Sequence, residues 1–451
     1  MRKVIISLSF LFLVSMLEAQ TIREFTRDTG QFISELTTFT GAHLETTEMP
    51  DFQRFLHVFD SLSYELQLQI IDVSNMMLKR KCRPRPHFIK YQRIMMEFFT
   101  EGKTSHGYDD WLEGYIQLLG KDDVSIRAID QLLTLSFNLL DENSLYSSNT
   151  ISWQVSTPSF QFHMEKKLTV SFEDVVVACY YDRDFIQIKN ATGYIDPQEL
   201  LWYGSSGVVT WERTGMPESE LNAVLGDFRI NLKTPGYVAD SVKLYYPAVF
   251  DGIALGRLED KVTLIQDLAN IAFPKFQSYK NSYRIDNFVP GIHYSGGLAV
   301  EGANLVGSSV GGEPAELEIF ANDTLRVRAL ASRVSMNARF IRSPHSSITI
   351  YFGGDSIYHP DLELSFDVTR DQLRLNKSED FKSMGPYSNS YHNIDMNFDE
   401  LSWNRGESIM KLQALQGTSV GRATFESHTF FDYGFFMDIQ GMDIQHPLAQ
   451  L

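Results

Sequence analysis

Residues 304–320 read "NLVGSSVGGEPAELEIF". Within them Gly307-Ser308-Ser309-Val310-Gly311 fits G-x-S-x-G, the spacing of a serine-hydrolase nucleophile elbow. The chemistry would be acyl transfer. An elbow places its serine on a tight turn between a buried strand and a helix, and the helix N-terminus helps to form the oxyanion hole. Here the residues that follow, "GGEPAELEIFANDTLRV", alternate like strands. Gly297, Gly302, Gly307 and Gly312 also recur every five residues, a spacing that generates the motif by coincidence. Glycines so placed suit bends and close backbone approaches in a sheet. Asp361 and His392 lie downstream, but chain order alone does not make a triad. Ser309 is therefore expected in a bend, and no catalytic residue is assigned. No Gly-Lys-Ser/Thr ending is present to make the stretch a phosphate loop.

Metal chemistry has one local candidate. "GGDSIYHPDLE" brings Asp355, His359 and Asp361 close in sequence, and a chain reversal there would gather them around a cation. The competing reading is a solvated turn between strands, for which Gly353, Gly354 and Pro360 suffice; the turn is the expectation. The eleven histidines are otherwise scattered, with no H-E-x-x-H and no pair at i, i+4. No cofactor motif is found. Cys82 and Cys179 are the two cysteines, which excludes a disulfide scaffold and a thiolate zinc site. Buried free thiols are expected. Trp153, Trp202, Trp211, Trp403, Tyr387 and Tyr391 offer either sugar-stacking platforms or core, and core is expected because aromatics pack well on strands.

A formal net charge of −17 excludes nucleic acid as a partner, since phosphates demand a basic face. The basic cluster "KRKCRPRPHFIK", residues 79–90, reads as a proline-bearing connector between helices. The chain opens "MRKVIISLSFLFLVSMLEAQ". Arg2 and Lys3 precede an apolar run from Val4 to Leu17, and Ala19 stands where a signal peptidase needs a small residue. Residues 1–19 are expected to be a signal peptide. No other stretch approaches the ~20 apolar residues of a membrane span. An exported protein follows: periplasmic, outer-membrane-associated or extracellular, with an envelope protein, a polysaccharide or a lipid as partner.

These residues must be held by two kinds of element. Up to about residue 145 the apolar period is three to four. "SIRAIDQLLTLSFNLL" sets Ile126, Ile129, Leu132, Leu133, Phe137 and Leu140 on one stripe behind an N-cap at Ser125. Four to six helices are expected in an α-helical domain over 20–145, as a bundle or a short helical-repeat array. Over 150–451 the period is two. "SSITIYF" aligns Ile348, Ile350 and Phe352, "DLELSFDV" aligns Leu362, Leu364, Phe366 and Val368, and Asn-Asp and Gly-Gly pairs mark turns. Helical exceptions are expected at "PESELNAVL" and "DKVTLIQDLANI". The fold class is α+β by segregated domains, with an elongated β-solenoid-like or curved-sheet region. The closing "FFMDIQGMDIQHPLAQL" carries no polar cap, and a truncated β domain is expected.

"YSGGLAVEGANLVGSS", "GGDSIYHPDLELSF", "YSNSYHNIDMNFDELSWN", "ATFESHTFF" and "HPLAQL" resemble segments of a family of very long, uncharacterised, secreted β-rich envelope proteins of Gram-negative bacteria. The resemblance implies an envelope location and brings no functional residues. The expected function is a non-catalytic exported cell-envelope protein acting as scaffold or binding surface. The alternatives are a carbohydrate-active enzyme on a β-helix and a lipid-binding β trough.

Overall fold

The computed structural model describes residues 22–100, 106–156, 160–263, 271–280, 282–378, 381–414, 423–428, 433–434 and 436. The expected signal peptide and the closing segment lie outside them. The chain divides into two compact units. The first comprises Met1–Thr210, Ala223–Val242 and Glu259–Gln266; the second comprises Trp211–Asn222, Lys243–Leu258 and Asp267–Leu451.

Among the described residues six α-helices open the first unit: α1 (Thr29–Gly41), α2 (Met49–Ser61), α3 (Tyr64–Lys79), α4 (Ile89–Phe99), α5 (Tyr108–Gly120) and α6 (Ile126–Glu142). Three of their starts are capped by short polar side chains that take up orphan backbone donors. Asp28 accepts from the Gln31 amide, Ser63 from Leu66 and Ser125 from Ala128. Asn143 closes α6 in the left-handed conformation, at φ 54°. Ile129, Leu132, Leu133 and Leu140 of the expected stripe are buried. The basic cluster does link two helices, and acids pair with part of it: Arg80 with Asp122, Arg85 with Glu45 and Glu48, and Lys90 with Asp130. Cys82 and Cys179 are free, buried thiols, and desolvation pushes both pKa values up to about 12.

Six strands follow: β1 (Ser144–Ser147), β2 (Ser152–Val155), β3 (Phe160–Met164), β4 (Leu168–Tyr181), β5 (Asp184–Asp196) and β6 (Leu201–Thr210). The change of period at residue 145 is real, but it is not where the compact units part. Helices and first strands share one core. Phe98 of α4 meets Phe162 of β3 at 6.0 Å between ring centroids, and His106 stacks on Phe160 at 4.2 Å. Gly114 lets α5 approach β4, since a Cβ there would lie 2.8 Å from that of Leu168. The chain continues through β7 (Asn222–Leu225), β8 (Phe228–Asn231), β9 (Gly236–Tyr245) and β10 (Ile253–Lys261). "PESELNAVL" is thus corrected: it is a turn running into β7, because Ala223 and Leu225 alternate inward at period two. Residues 264–270 of the second expected helix lie outside the described residues.

The second unit is built on β11 (Lys275–Ser278), β12 (Tyr283–Val289), β13 (Ile292–Glu301), β14 (Asn304–Ser308), β15 (Ala315–Ala321), β16 (Thr324–Ala331), β17 (Arg333–Met336), β18 (Phe340–Phe352), β19 (Asp355–Asp367), β20 (Gln372–Asn376), β21 (Tyr387–Asn389), β22 (Ile394–Asn397) and β23 (Glu400–Asn404), followed by short β24 (Lys411–Gln413) and β25 (Thr424–Ser427). Antiparallel pairing runs β13–β15–β16–β18–β19–β20–β23. The expected turn pairs hold: Asn322 and Asp323, both left-handed, join β15 to β16, and Gly353 with Gly354 joins β18 to β19. Left-handed residues match the twist of a two-residue hairpin. The inward rows are apolar, with Ile348, Ile350, Leu362, Leu364 and Phe366 all buried.

Candidate functional site

Ser309 lies between the end of a strand and a glycine turn, without itself being in the turn. β14 ends at Ser308, the Ser309 amide donates to the Ser332 carbonyl, and Val310 bridges Glu313 across Gly311 and Gly312. Those two glycines have φ of 60° and 91°, a conformation that side chains resist. A strand, β15, follows instead of a helix. Gly307 has a separate task. A Cβ there would fall 2.4 Å from the ring of buried Tyr294, whose hydroxyl donates to the Gly297 carbonyl at 2.6 Å. The motif is the footprint of a tyrosine lying across a glycine-lined strand pair.

The Asp355–His359–Asp361 stretch is a strand and not a turn. All three residues lie on one strand, β19. At the ~3.3 Å rise of a strand residue, Asp355 and His359 are held about 13 Å apart. Asp355 accepts from Ser390 Oγ at 3.0 Å. His359 is 1% exposed and both ring nitrogens are engaged: Nδ1 accepts from the Asp361 amide at 3.1 Å, and Nε2 donates to the Gly385 carbonyl at 3.0 Å. Burial holds its pKa below the usual histidine value. His359 keeps no lone pair for a cation, and no metal-binding cluster occurs among the described residues.

Pro360, expected in a turn, instead marks a bulge. The partner strand β18 carries a proline of its own, Pro344. Ser343 pairs with Leu364, Ser346 with Leu362 and Ile348 with His359, so Pro344-His345 faces one residue of β19 and Pro360-Asp361 faces one residue of β18. Two opposed bulges cancel in register, and each places a proline where no ladder donor is needed. They also turn two polar side chains toward each other. His345 Nδ1 lies 3.2 and 3.4 Å from the two carboxylate oxygens of Asp361. The imidazole is half exposed while the carboxylate is largely buried.

Around this pair lies a polar layer. Lys377 Nζ donates to the Gly385 carbonyl at 2.6 Å and to Asn397 Oδ1 at 2.7 Å, and partial burial lowers its pKa. Buried Tyr387 stacks on Phe398 at 4.0 Å and packs against His359 at 4.6 Å. The His345–Asp361 pair has the carboxylate–imidazole half of a triad, but no nucleophile completes it from the flanking serines. Ser343 Oγ donates to the His345 carbonyl, and Ser346 Oγ is buried without a partner. The arrangement fixes two strands and holds one imidazole near a carboxylate. His345 and Lys377 were missed from the sequence, although a proline inside each of two alternating runs signals paired bulges.

Of the singled-out aromatics, Trp153, Trp202, Trp211, Trp403 and Tyr387 are buried, while Tyr391 is 66% exposed. The second unit also carries concave surface. One cleft of about 470 Å³ is lined by Ser282, Ser295, Gly296, the Val310–Gly311 turn and two carboxylates, Glu313 and Glu316. Glu316 is held by Arg328. No helix among the described residues is long and apolar enough to cross a membrane. Comparison with protein-family models, with curated proteins and with solved structures gave no match.

Proposed function

We propose that the chain is a non-catalytic, exported cell-envelope protein whose β part, a curved sheet, serves as scaffold or binding surface. The observation that carries this reading is the commitment of its reactive groups. His359 spends both nitrogens on backbone partners, both thiols are buried and hard to ionise, and Ser309 lies between the end of β14 and a two-glycine turn, with a strand rather than a helix beyond. Catalytic thiols need a lowered pKa, and burial raises that of both cysteines. The antiparallel ladder from β13 to β23 favours a curved sheet over a coiled solenoid. The signal-like N-terminus and the resemblance to secreted β-rich envelope proteins support export.

Two narrower observations favour the alternatives. The Glu313–Glu316 cleft suits a hydroxylated ligand such as a polysaccharide. Ile253, Leu255 and Tyr279, at 63%, 51% and 51% exposure, give a lipid or an apolar partner something to cover. The deciding experiment is expression in a Gram-negative host, followed by fractionation and N-terminal sequencing. The expected product begins at Gln20 outside the cytoplasm. An unprocessed chain retained in the cytosol sinks the export reading, and glycan turnover that disappears in Glu313→Gln sinks the non-catalytic one.

A further inference from the structure

A second cleft in the second unit, of about 320 Å³, has a lining of a different character. It lies at the end of the β15–β16 hairpin, where the last residue of β18 and the segment after β23 meet. Phe352, Trp403, Met410 and Ala321 supply apolar wall. Trp403 is fixed, because its Nε1 donates to the Glu407 carbonyl at 2.9 Å. Phe352 belongs to the inward row of β18 but lies past the end of the core, and it stays 40% exposed. Apolar surface of this kind is ordinarily covered in a strand of alternating burial.

The polar part of the lining has an imbalance. Arg326 is half-buried in the wall and makes no hydrogen bond or ion pair among the described residues. Its neighbours on the sheet behave otherwise: Arg328 pairs with Glu316, Arg333 with Glu301 and Arg405 with Asp371. In a chain with 57 acidic residues against 40 basic ones, a half-buried guanidinium without an acid is conspicuous. Glu407 also lines the cleft, but its Oε1 accepts from Asn404 Nδ2 at 2.9 Å and it forms no ion pair with Arg326. Asn322 and Ser408 add neutral polar groups beside the guanidinium.

We propose that this cleft binds a small organic monoanion: one carboxylate paired with Arg326, and a flat apolar body between Phe352 and Trp403. Its size falls at the lower end of the range for small-molecule sites. A guanidinium receives a carboxylate through two parallel hydrogen bonds, a geometry that lysine cannot reproduce. Glu407 selects against ligands of higher negative charge. The proposal stands independently of cellular location, so failed export leaves it untouched.

The test is calorimetric titration of the whole mature protein with 3-phenylpropionate and with its neutral amide. The acid is expected to bind saturably at one site, with the amide weaker by about tenfold or more, the loss of one charge-assisted pair. Arg326→Gln is expected to abolish that preference, Arg326→Lys to keep part of it, and Glu407→Gln to tighten the acid a few-fold. Since Arg326 has no partner to lose, these variants should melt with the wild type, which separates lost binding from lost folding. Equal affinity for acid and amide, an unchanged affinity in Arg326→Gln, or no saturable binding of the acid overturns the proposal.

Discussion

The helical core of the first unit and the bulged hairpin of the second bury their side chains by opposite means. Around α4 and α5 the interior is aromatic: Tyr91 stacks on Trp111 and Tyr115, and Trp111 on Tyr115, with centroids 5.2 to 6.4 Å apart. The Tyr91 and Tyr115 hydroxyls are buried without partners. At the hairpin's bulges polar groups are buried among the apolar rows, and His359 and Asp361, with Lys377 just beyond β20, have hydrogen-bond partners. A large stacked surface tolerates an unsatisfied hydroxyl, which costs ~1–3 kcal/mol, whereas small polar groups must be satisfied one by one. The difference also sorts sites of stability from sites with spare chemistry.

The comparison breaks most readily at Trp111. It is fully buried, and its Nε1 donates to Ser136 at 2.8 Å. Trp111→Ala is expected to cost ~3–5 kcal/mol in urea denaturation, a cavity plus a stranded hydroxyl. In the hairpin, His359→Ala should cost less, ~1–3 kcal/mol, because the loss is hydrogen bonds rather than a large volume. Asp355→Asn should stay within about 0.5 kcal/mol, since the residue sits at the strand's start with a single hydroxyl partner. A chelator should change none of these values. Equal losses at Asp355 and His359 would restore the metal reading.

These two regions were not equally legible from sequence. Helix α6 could be written down from its stripe and from Ser125, because period and cap are local signals. The turns at Asn322-Asp323 and Gly353-Gly354 were likewise readable, since hairpin turns demand particular residues. The hairpin's polar pair was not. His345 and Asp361 meet only because two bulges sixteen residues apart compensate, and strand register is a tertiary fact. The prolines at 344 and 360 carried the hint, but a proline speaks for a turn as readily as for a bulge. The segment at 217–225 failed for a related reason: its acidic opening imitates a helix start, while Ala223 and Leu225 follow the inward alternation of a strand.

A pH series sharpens the comparison, with one buried histidine on each side. His87 Nδ1 accepts from the Arg83 amide at 3.0 Å, as His359 Nδ1 does from Asp361. Burial lowers both pKa values, and His359 feels the Lys377 charge as well. A histidine depressed in the folded state is neutral there while its unfolded counterpart takes a proton below about pH 6.5. The unfolded chain then binds more protons, so stability present above that pH is lost as the pH falls toward the folded values. Denaturation midpoints from pH 7 to pH 5 should decline in the wild type. They should decline less steeply in His87→Gln and in His359→Gln. A flat wild-type profile would mean that neither ring is held neutral.

The smallest effect is expected where the catalytic motif was suspected, and its neighbour supplies the contrast. Gly307→Ala drives a methyl into the Tyr294 ring and should cost ~1–3 kcal/mol, as overpacked cores do. Ser309→Ala removes only a hydroxyl, because the bond that anchors this residue runs from its backbone amide to the Ser332 carbonyl. Its stability should stay within about 0.5 kcal/mol of the wild type. A fluorophosphonate probe should label neither protein. Serine-dependent labelling lost in Ser309→Ala would require Ser309 to be activated by a base that the turn does not bring to it. The same five residues are thus intolerant at a glycine and indifferent at a serine, the reverse of what an elbow would impose.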